Sequence, residues 1–191
     1  MNYTNDKIIE RLEKGEYLKF LFFWGHQRSN ELTKSCFSQW YESSFVVNEV
    51  EYLTAEHYMM AEKALLFGDK TIYEEIIHSK KAGEAKALGR KVSGFDQKVW
   101  EEHRFEVVVK GNFHKFSQNP ELAQFLKDTG SRVLVEASPV DTIWGIGLPQ
   151  DSENASNPRN WRGLNLLGYA LMEVRDALSE GVIQELNHAK V

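Results

Sequence analysis

Glu56 and Lys63 stand seven residues apart in a segment, 55–67, that Thr54 is placed to cap and Gly68 to close. In a helix that spacing is two turns, which leaves the side chains roughly 20° from eclipsed and roughly 10 Å apart along the axis. The gap is too wide for an ion pair, but it suits a carboxylate and an ammonium gripping opposite sides of a small substrate. A solvated helix face would show the same pattern. A second group is the run Pro139-Val140-Asp141-Thr142-Ile143-Trp144-Gly145, an acid three residues before a Trp-Gly pair, in a loop after a strand. There Trp144 has the flat face to stack on a heterocycle, and Gly145 has no Cβ to hinder a ligand. The alternative is a buried turn in which Asp141 accepts backbone N–H groups. Trp100 and Arg104, one turn apart, form a third group able to meet a base and a phosphate. Arg90, after Gly89 in a locally basic stretch, is a further phosphate candidate.

Other chemistries find no support. Gly145-Ile146-Gly147 continues into Leu148-Pro149-Gln150, which is not a dinucleotide fingerprint, and no Walker A run or Gly-x-Ser-x-Gly elbow occurs. The six histidines form neither H-E-x-x-H nor H-x-H groupings, so no metal is expected. Cys36, the only cysteine, excludes an internal disulfide and has no evident catalytic context.

These groups need elements to hold them. Residues 6–14 read as a helix capped by Thr4 or Asn5, and 18–24 as an aromatic-rich strand followed by a polar loop through Ser35. Residues 45–52 centre on Asn48-Glu49, which predicts a hairpin. After the helix at 55–67 come a short helix at 71–78, one at 80–91 with Ser79 as its cap, and a long one from Asp96 to Asn119. Phe105, Val109, Phe113 and Phe116 give the long helix an apolar stripe. Pro120 opens another helix, 132–136 is a strand, 149–163 a polar loop, and Leu167 to Leu178 an amphipathic helix. The pattern predicts an α+β fold, a single helix-rich domain with a small β-sheet. Its expected parts are an N-terminal helical extension (1–20), the main domain (21–180) and a C-terminal tail (181–191).

A length of 191 residues with 42% hydrophobic side chains supports one domain with a substantial core. The net charge of −5 disfavours a broad nucleic-acid surface but leaves room for a local phosphate pocket. No apolar run is long enough for a membrane span, and the first twenty residues lack the basic and apolar regions of a signal peptide. A cytoplasmic location is expected, and the sequons at Asn2 and Asn154 are read as chance.

In order and spacing the chain resembles the NADAR/YbiA-like family from about Phe22 to Asp176. The resemblance runs through Cys36-Phe37-Ser38-Gln39-Trp40, then Tyr52-Leu53-Thr54-Ala55-Glu56-His57-Tyr58 with Lys63 following. It continues through Ala85-Lys86-Ala87-Leu88-Gly89-Arg90, Trp100 with Arg104, and Lys115-Phe116-Ser117-Gln118-Asn119-Pro120. It closes on Leu134-Val135-Glu136, Asp141-Thr142-Ile143-Trp144-Gly145 and Gly163-Leu164-Asn165-Leu166-Leu167-Gly168, before Leu171-Met172-Glu173-Val174-Arg175. Gln39 replaces the family's usual Asn, and Met59 and Met60 occupy positions that are often aromatic or Gln.

The resemblance implies hydrolysis of an N-glycosidic bond between ribose and a nitrogen base or amine, without metal or cofactor. Phosphoribosylated pyrimidine intermediates of riboflavin synthesis are the expected substrates. The alternatives are ADP-ribosyl groups on guanine, with nucleic acid only as a modified substrate, and an ADP-ribose- or NAD-binding module without turnover. Glu56 and Asp141 would carry the carboxylate tasks, and Lys63 would assist the leaving group or act as an amine nucleophile. Trp100 and Trp144 would flank the base, Arg90 and Arg104 would hold phosphate, and Ser38 and Asn165 would bond sugar or base edges. The expectation is one ribose-sized cleft shared by the two carboxylates.

Overall fold

The computed structural model describes residues 1–27 and 29–181; the tail predicted beyond Gly181 lies outside the described residues. The fold is mixed α+β, as the pattern predicts. The chain forms two compact units: one joins Met1–Ser38 to the chain from Leu122 onward, and Gln39–Glu121 forms the other. In sequence the second unit is one uninterrupted insertion into the first.

In the first unit, α1 (Asn5–Glu13) begins where Thr4 Oγ1 accepts the Lys7 N–H at 3.2 Å. It is fastened by the Tyr169 hydroxyl, which donates to Asn5 Oδ1 at 2.8 Å, and by an Arg159–Glu13 ion pair. Strand β1 (Phe20–Phe23) pairs in parallel with β4 (Val133–Glu136), Phe20 opposite Val133 and Phe23 opposite Glu136. The predicted polar loop contains a 3-10 turn, Lys34–Phe37, that buries Cys36 and Phe37. The Phe37 ring lies 5.5 Å from both Phe23 and Phe125, and the latter belongs to α6 (Pro120–Lys127). Helix α7 (Leu166–Glu180) packs on β4, and the buried Arg175 ties it down by donating to Thr129 Oγ1 and the Arg132 carbonyl at 2.9 and 2.8 Å.

In the second unit, the hairpin of β2 (Phe45–Val47) and β3 (Val50–Tyr52) turns through Asn48 and Glu49, at φ 49° and 67°. Two successive left-handed residues make the turn whose twist matches the strands. The Gln118 side chain closes the outer edge of β2: its Oε1 accepts the Val46 N–H and its Nε2 donates to the Val46 carbonyl, both at 2.8 Å.

Helix α2 (Ala55–Leu66) packs against α3 (Lys70–His78), α4 (Ala82–Gly89) and α5 (Gln97–Ser117). Residues 55–61 are all buried, so α2 is the core of this unit rather than a half-exposed helix. Gly111 on α5 admits the Tyr58 ring, which a Cβ there would meet at 2.5 Å. Val109, Phe113 and Phe116 of the predicted stripe are buried and Phe105 is half-buried. Ser79 differs from expectation: it ends α3, with its hydroxyl donating to the Ile76 carbonyl at 2.7 Å, and α4 starts after Lys81. A Ser hydroxyl serves either helix end, and sequence alone does not choose between them.

Candidate functional site

Thr54 sets the start of α2. Its Oγ1 accepts the His57 N–H at 3.3 Å and lies 2.8 Å from His57 Nδ1, while the Glu56 N–H donates to the Gln39 carbonyl at 3.0 Å. The Glu56 and His57 N–H groups are thereby satisfied and Glu56 is held with only 3% of its surface exposed. A carboxylate that deep in a helical core has little water to stabilise its charge.

Two turns on, Lys63 is half-buried. Its Nζ donates to the Gly89 carbonyl at 2.8 Å and lies 4.1 Å from the centroid of the Phe95 ring and 5.8 Å from that of Trp100. Gly89 permits this arrangement, because a Cβ there would lie 2.1 Å from Met60 Sδ. The last turn of α4 therefore approaches α2 closely and presents a terminal carbonyl to the ammonium. Burial, and secondarily the Arg90 guanidinium, push the Lys63 pKa below the usual lysine value. Trp100 and Arg104 are both buried to within 8% exposure, and Arg104 Nη1 lies 3.7 Å from Glu101. Arg90 is exposed just past the end of α4. Met60 is a packing residue against Gly89.

The loop after β4 belongs to the first unit and is built differently. Asp141 Oδ1 accepts the N–H groups of Ile143 and Trp144, both at 2.8 Å, and the Asp141 N–H donates to Ser138 Oγ at 3.1 Å. Asp141 thus accepts backbone N–H groups through Oδ1, as the second alternative has it, but in a half-exposed rather than a buried turn, and Oδ2 has no hydrogen bond among the described residues. The carbonyls of Ile143 and Trp144 accept the first N–H groups of α7, from Leu166 and Leu167 at 3.3 and 3.1 Å. Loop and helix start are mutually capped.

Two expectations need correction here. A Cβ on Gly145 would lie 2.8 Å from the Glu136 carbonyl oxygen, so the absent side chain admits the protein's own backbone rather than a ligand. Asn165 is fully buried at φ 54°, with Oδ1 accepting the Glu136 N–H and Nδ2 donating to the Leu134 carbonyl, both at 2.9 Å. Its amide pairs with the outer edge of β4 as a neighbouring strand would, and this replaces the expected contact with sugar or base. Trp144 is half-buried in the same loop, and Ser38, also half-buried, ends the 3-10 turn.

The structure thus gathers Lys63, Trp100 and the end of α4 around one ammonium, with Glu56 two turns back on the same helix and Arg104 one turn beyond Trp100. In the other unit it gathers Asp141, Trp144 and Gly145 in the loop after β4, with Asn165 at the start of α7. Sequence reasoning missed Phe95, between Gly94 and Asp96, in the short stretch that separates two predicted helices. It also missed the Gly89 carbonyl, whose role depends on the helix pair α2–α4. Among the described residues, no helix is long and apolar enough to cross a membrane.

Residues 22–179 match the model of the NADAR domain family. An N-glycosidase of Acanthamoeba polyphaga mimivirus is 44% identical over 163 residues, covering 83% of this chain and 95% of that protein. A chloroplastic riboflavin biosynthesis protein of Zea mays is 36% identical over 132 residues, 65% of this chain but 19% of that much longer one. The NMR structure of the Escherichia coli protein YbiA superposes with a TM-score of 0.66 at 27% identity, covering 90% of this chain and 92% of that one.

Proposed function

Since the chain belongs to the NADAR domain family and by that kinship is an N-glycosidase, we propose that it hydrolyses the bond between ribose and nitrogen in phosphoribosylated pyrimidine intermediates of riboflavin synthesis. The observation that carries the chemistry is Lys63, a half-buried amine with a lowered pKa, on the same buried helix as Glu56. An amine depressed in this way has a larger neutral fraction at neutral pH, which a nucleophile requires.

Cleavage leaves positive charge at the anomeric carbon and places a proton on the departing nitrogen. In the ring-opened form the ribosylamine is an imine. The neutral Lys63 Nζ adds to its C1, its two protons pass in turn from Nζ to the substrate nitrogen, and that nitrogen leaves as the free amine while C1 and Nζ form an imine. The electron pair of the broken C–N bond goes with it. Water then adds to the Lys63 imine, and its collapse returns the amine and the sugar aldehyde. No oxidant or reductant enters. Glu56 is the group proposed to shuttle these protons.

Asp141, with one oxygen fixed by two backbone N–H groups, is proposed to accept ribose hydroxyls through Oδ2. In the second unit Trp100 offers a face to a base, and Arg90 and Arg104 offer charge to phosphate; in the first unit Trp144 offers a ring face and Ser38 a hydroxyl.

The test is one panel in which purified protein meets a phosphoribosylaminopyrimidine, ADP-ribosylated guanosine and NAD, with released base followed by chromatography. Release from the pyrimidine is expected. Release confined to ADP-ribosylated guanosine would transfer the activity to that class, and binding without release from any would contradict an enzyme.

A further inference from the structure

We propose that Phe95 is a positioning residue for Lys63: its ring holds the ammonium against the Gly89 carbonyl in the resting protein and sets the pH at which the amine is released for reaction. The proposal rests on the reading of Lys63 as the reacting amine. The Phe95 centroid lies 4.1 Å from Nζ, well inside cation–π range, whereas Trp100 at 5.8 Å is at its limit. Phe95 is itself 41% exposed, so it is not a core residue that happens to lie near a lysine. Its ring is backed edge-on by Phe67 at 5.3 Å, from the end of α2 that also carries Lys63. Gly94, at φ 68°, turns the chain immediately before it. Asp96 then caps α5 by accepting the Val99 N–H at 2.9 Å, which anchors the other side of Phe95. A ring fixed from both sides and from behind has a defined place over the amine.

Two influences on Nζ oppose each other. Burial and the Arg90 charge favour the neutral amine, whereas the face of the Phe95 ring and the Gly89 carbonyl favour the ammonium. Several charged groups on the elements around Lys63 have partners of their own: on α4, Glu84 accepts the Lys80 and Lys81 N–H groups and Lys86 lies over the Trp40 ring. Glu101 and Arg104 on α5 pair with each other, Asp96 caps its helix, and Glu62, the neighbour on α2, interacts with Lys110 and Tyr58. Arg90 and the Phe95 ring, the nearer of the two aromatic faces, therefore act on Nζ in opposite directions. When the ammonium loses its proton, cation–π attraction vanishes and the amine is free to swing from the ring toward substrate.

The experiment measures Lys63 without turnover. Trace acetylation of the whole protein across pH, quantified by mass spectrometry of the Lys63 peptide, gives the midpoint at which the amine becomes reactive. Phe95→Leu keeps apolar bulk but removes the π face, and is expected to lower that midpoint by about half a pH unit. Phe95→Tyr keeps the face and is expected to titrate like the wild type. An unchanged midpoint in Phe95→Leu overturns the proposal whether or not the protein is an active glycosidase. If the midpoint moves, the acid limb of kcat/KM is expected to move with it in the same direction. A moved midpoint with a fixed acid limb supports the Phe95 assignment and contradicts Lys63 as the reacting amine, which separates the two readings.

Discussion

Helix α2 and the loop after β4 each bring an acid and an aromatic neighbourhood that sequence reasoning marks for chemistry, yet they are built on opposite plans. In the loop and at the start of α7, polar side chains are committed to backbone: Asp141 Oδ1 to two N–H groups and the Asn165 amide to an N–H and a carbonyl on the outer edge of β4. On α2 the backbone is satisfied by its cap, and of the two ionisable side chains Glu56 lies in the core of the unit and Lys63 is half-buried. A side chain that organises backbone has a structural reason to be there. Charge placed in a low-dielectric interior is costly to maintain and points to use.

That contrast breaks first on α2. Glu56→Gln and Lys63→Met are each expected to reduce turnover by about 10²-fold or more, the scale of lost proton transfer or nucleophile, with melting temperature little changed. Steady-state rates beside thermal melts check this, and near-normal turnover in both would remove the chemistry from this helix.

Asn165 is expected to show the reverse. Asn165→Ala leaves the Leu134 carbonyl and the Glu136 N–H without partners, at a cost of about 3 kcal/mol read by urea unfolding. Asn165→Asp is expected to be comparably poor, because it turns an acceptor toward the Leu134 carbonyl. A small change in either would show that the amide does not hold the edge.

Asp141 falls between the two. Asp141→Asn retains an oxygen for the Ile143 and Trp144 N–H groups, so the fold is expected to survive with roughly tenfold lower turnover, the value of one charged hydrogen bond to a hydroxyl. Asp141→Ala also loses the turn and is expected to unfold about 1–2 kcal/mol earlier. Equal turnover in wild type and Asp141→Asn would make this residue structural alone.

The smallest effect is a pH dependence of stability. Burial, against a weaker opposing pull from the Ser79 backbone and Glu84, depresses the pKa of His57; burial reinforced by Lys110 depresses that of His114. The unfolded chain therefore takes up these protons first. Stability from the neutral imidazoles is complete above the unfolded value of about 6.5 and declines as pH falls below it. Replacing His57 with Gln is expected to flatten that decline, as measured by urea midpoints across pH 5 to 7.5.

Local signals in the sequence located most elements. Thr54, Asp96 and Thr4 are found at the helix starts they predict, and Asn48-Glu49 at its hairpin turn. The parallel partnership of β1 and β4 was not legible, because it joins segments more than a hundred residues apart and depends on no local pattern. Ser79 was ambiguous because one hydroxyl caps either end of a helix. The spacing of Glu56 and Lys63 was legible as a shared helix, but their burial was not, since α2 is surrounded by three helices whose arrangement spacing alone does not give. Gly145 was legible as a position that admits a close approach, and Asn165 as part of a motif. Their partner, the edge of β4, was hidden for the same reason as the strand pairing.

The central claim is that the Lys63 amine bonds to the sugar during turnover. Borohydride added to wild-type protein while it releases base from a phosphoribosylaminopyrimidine is predicted to trap a ribose phosphate adduct on the peptide containing Lys63, and none in Lys63→Met. Continued base release with no adduct on that peptide would contradict the account.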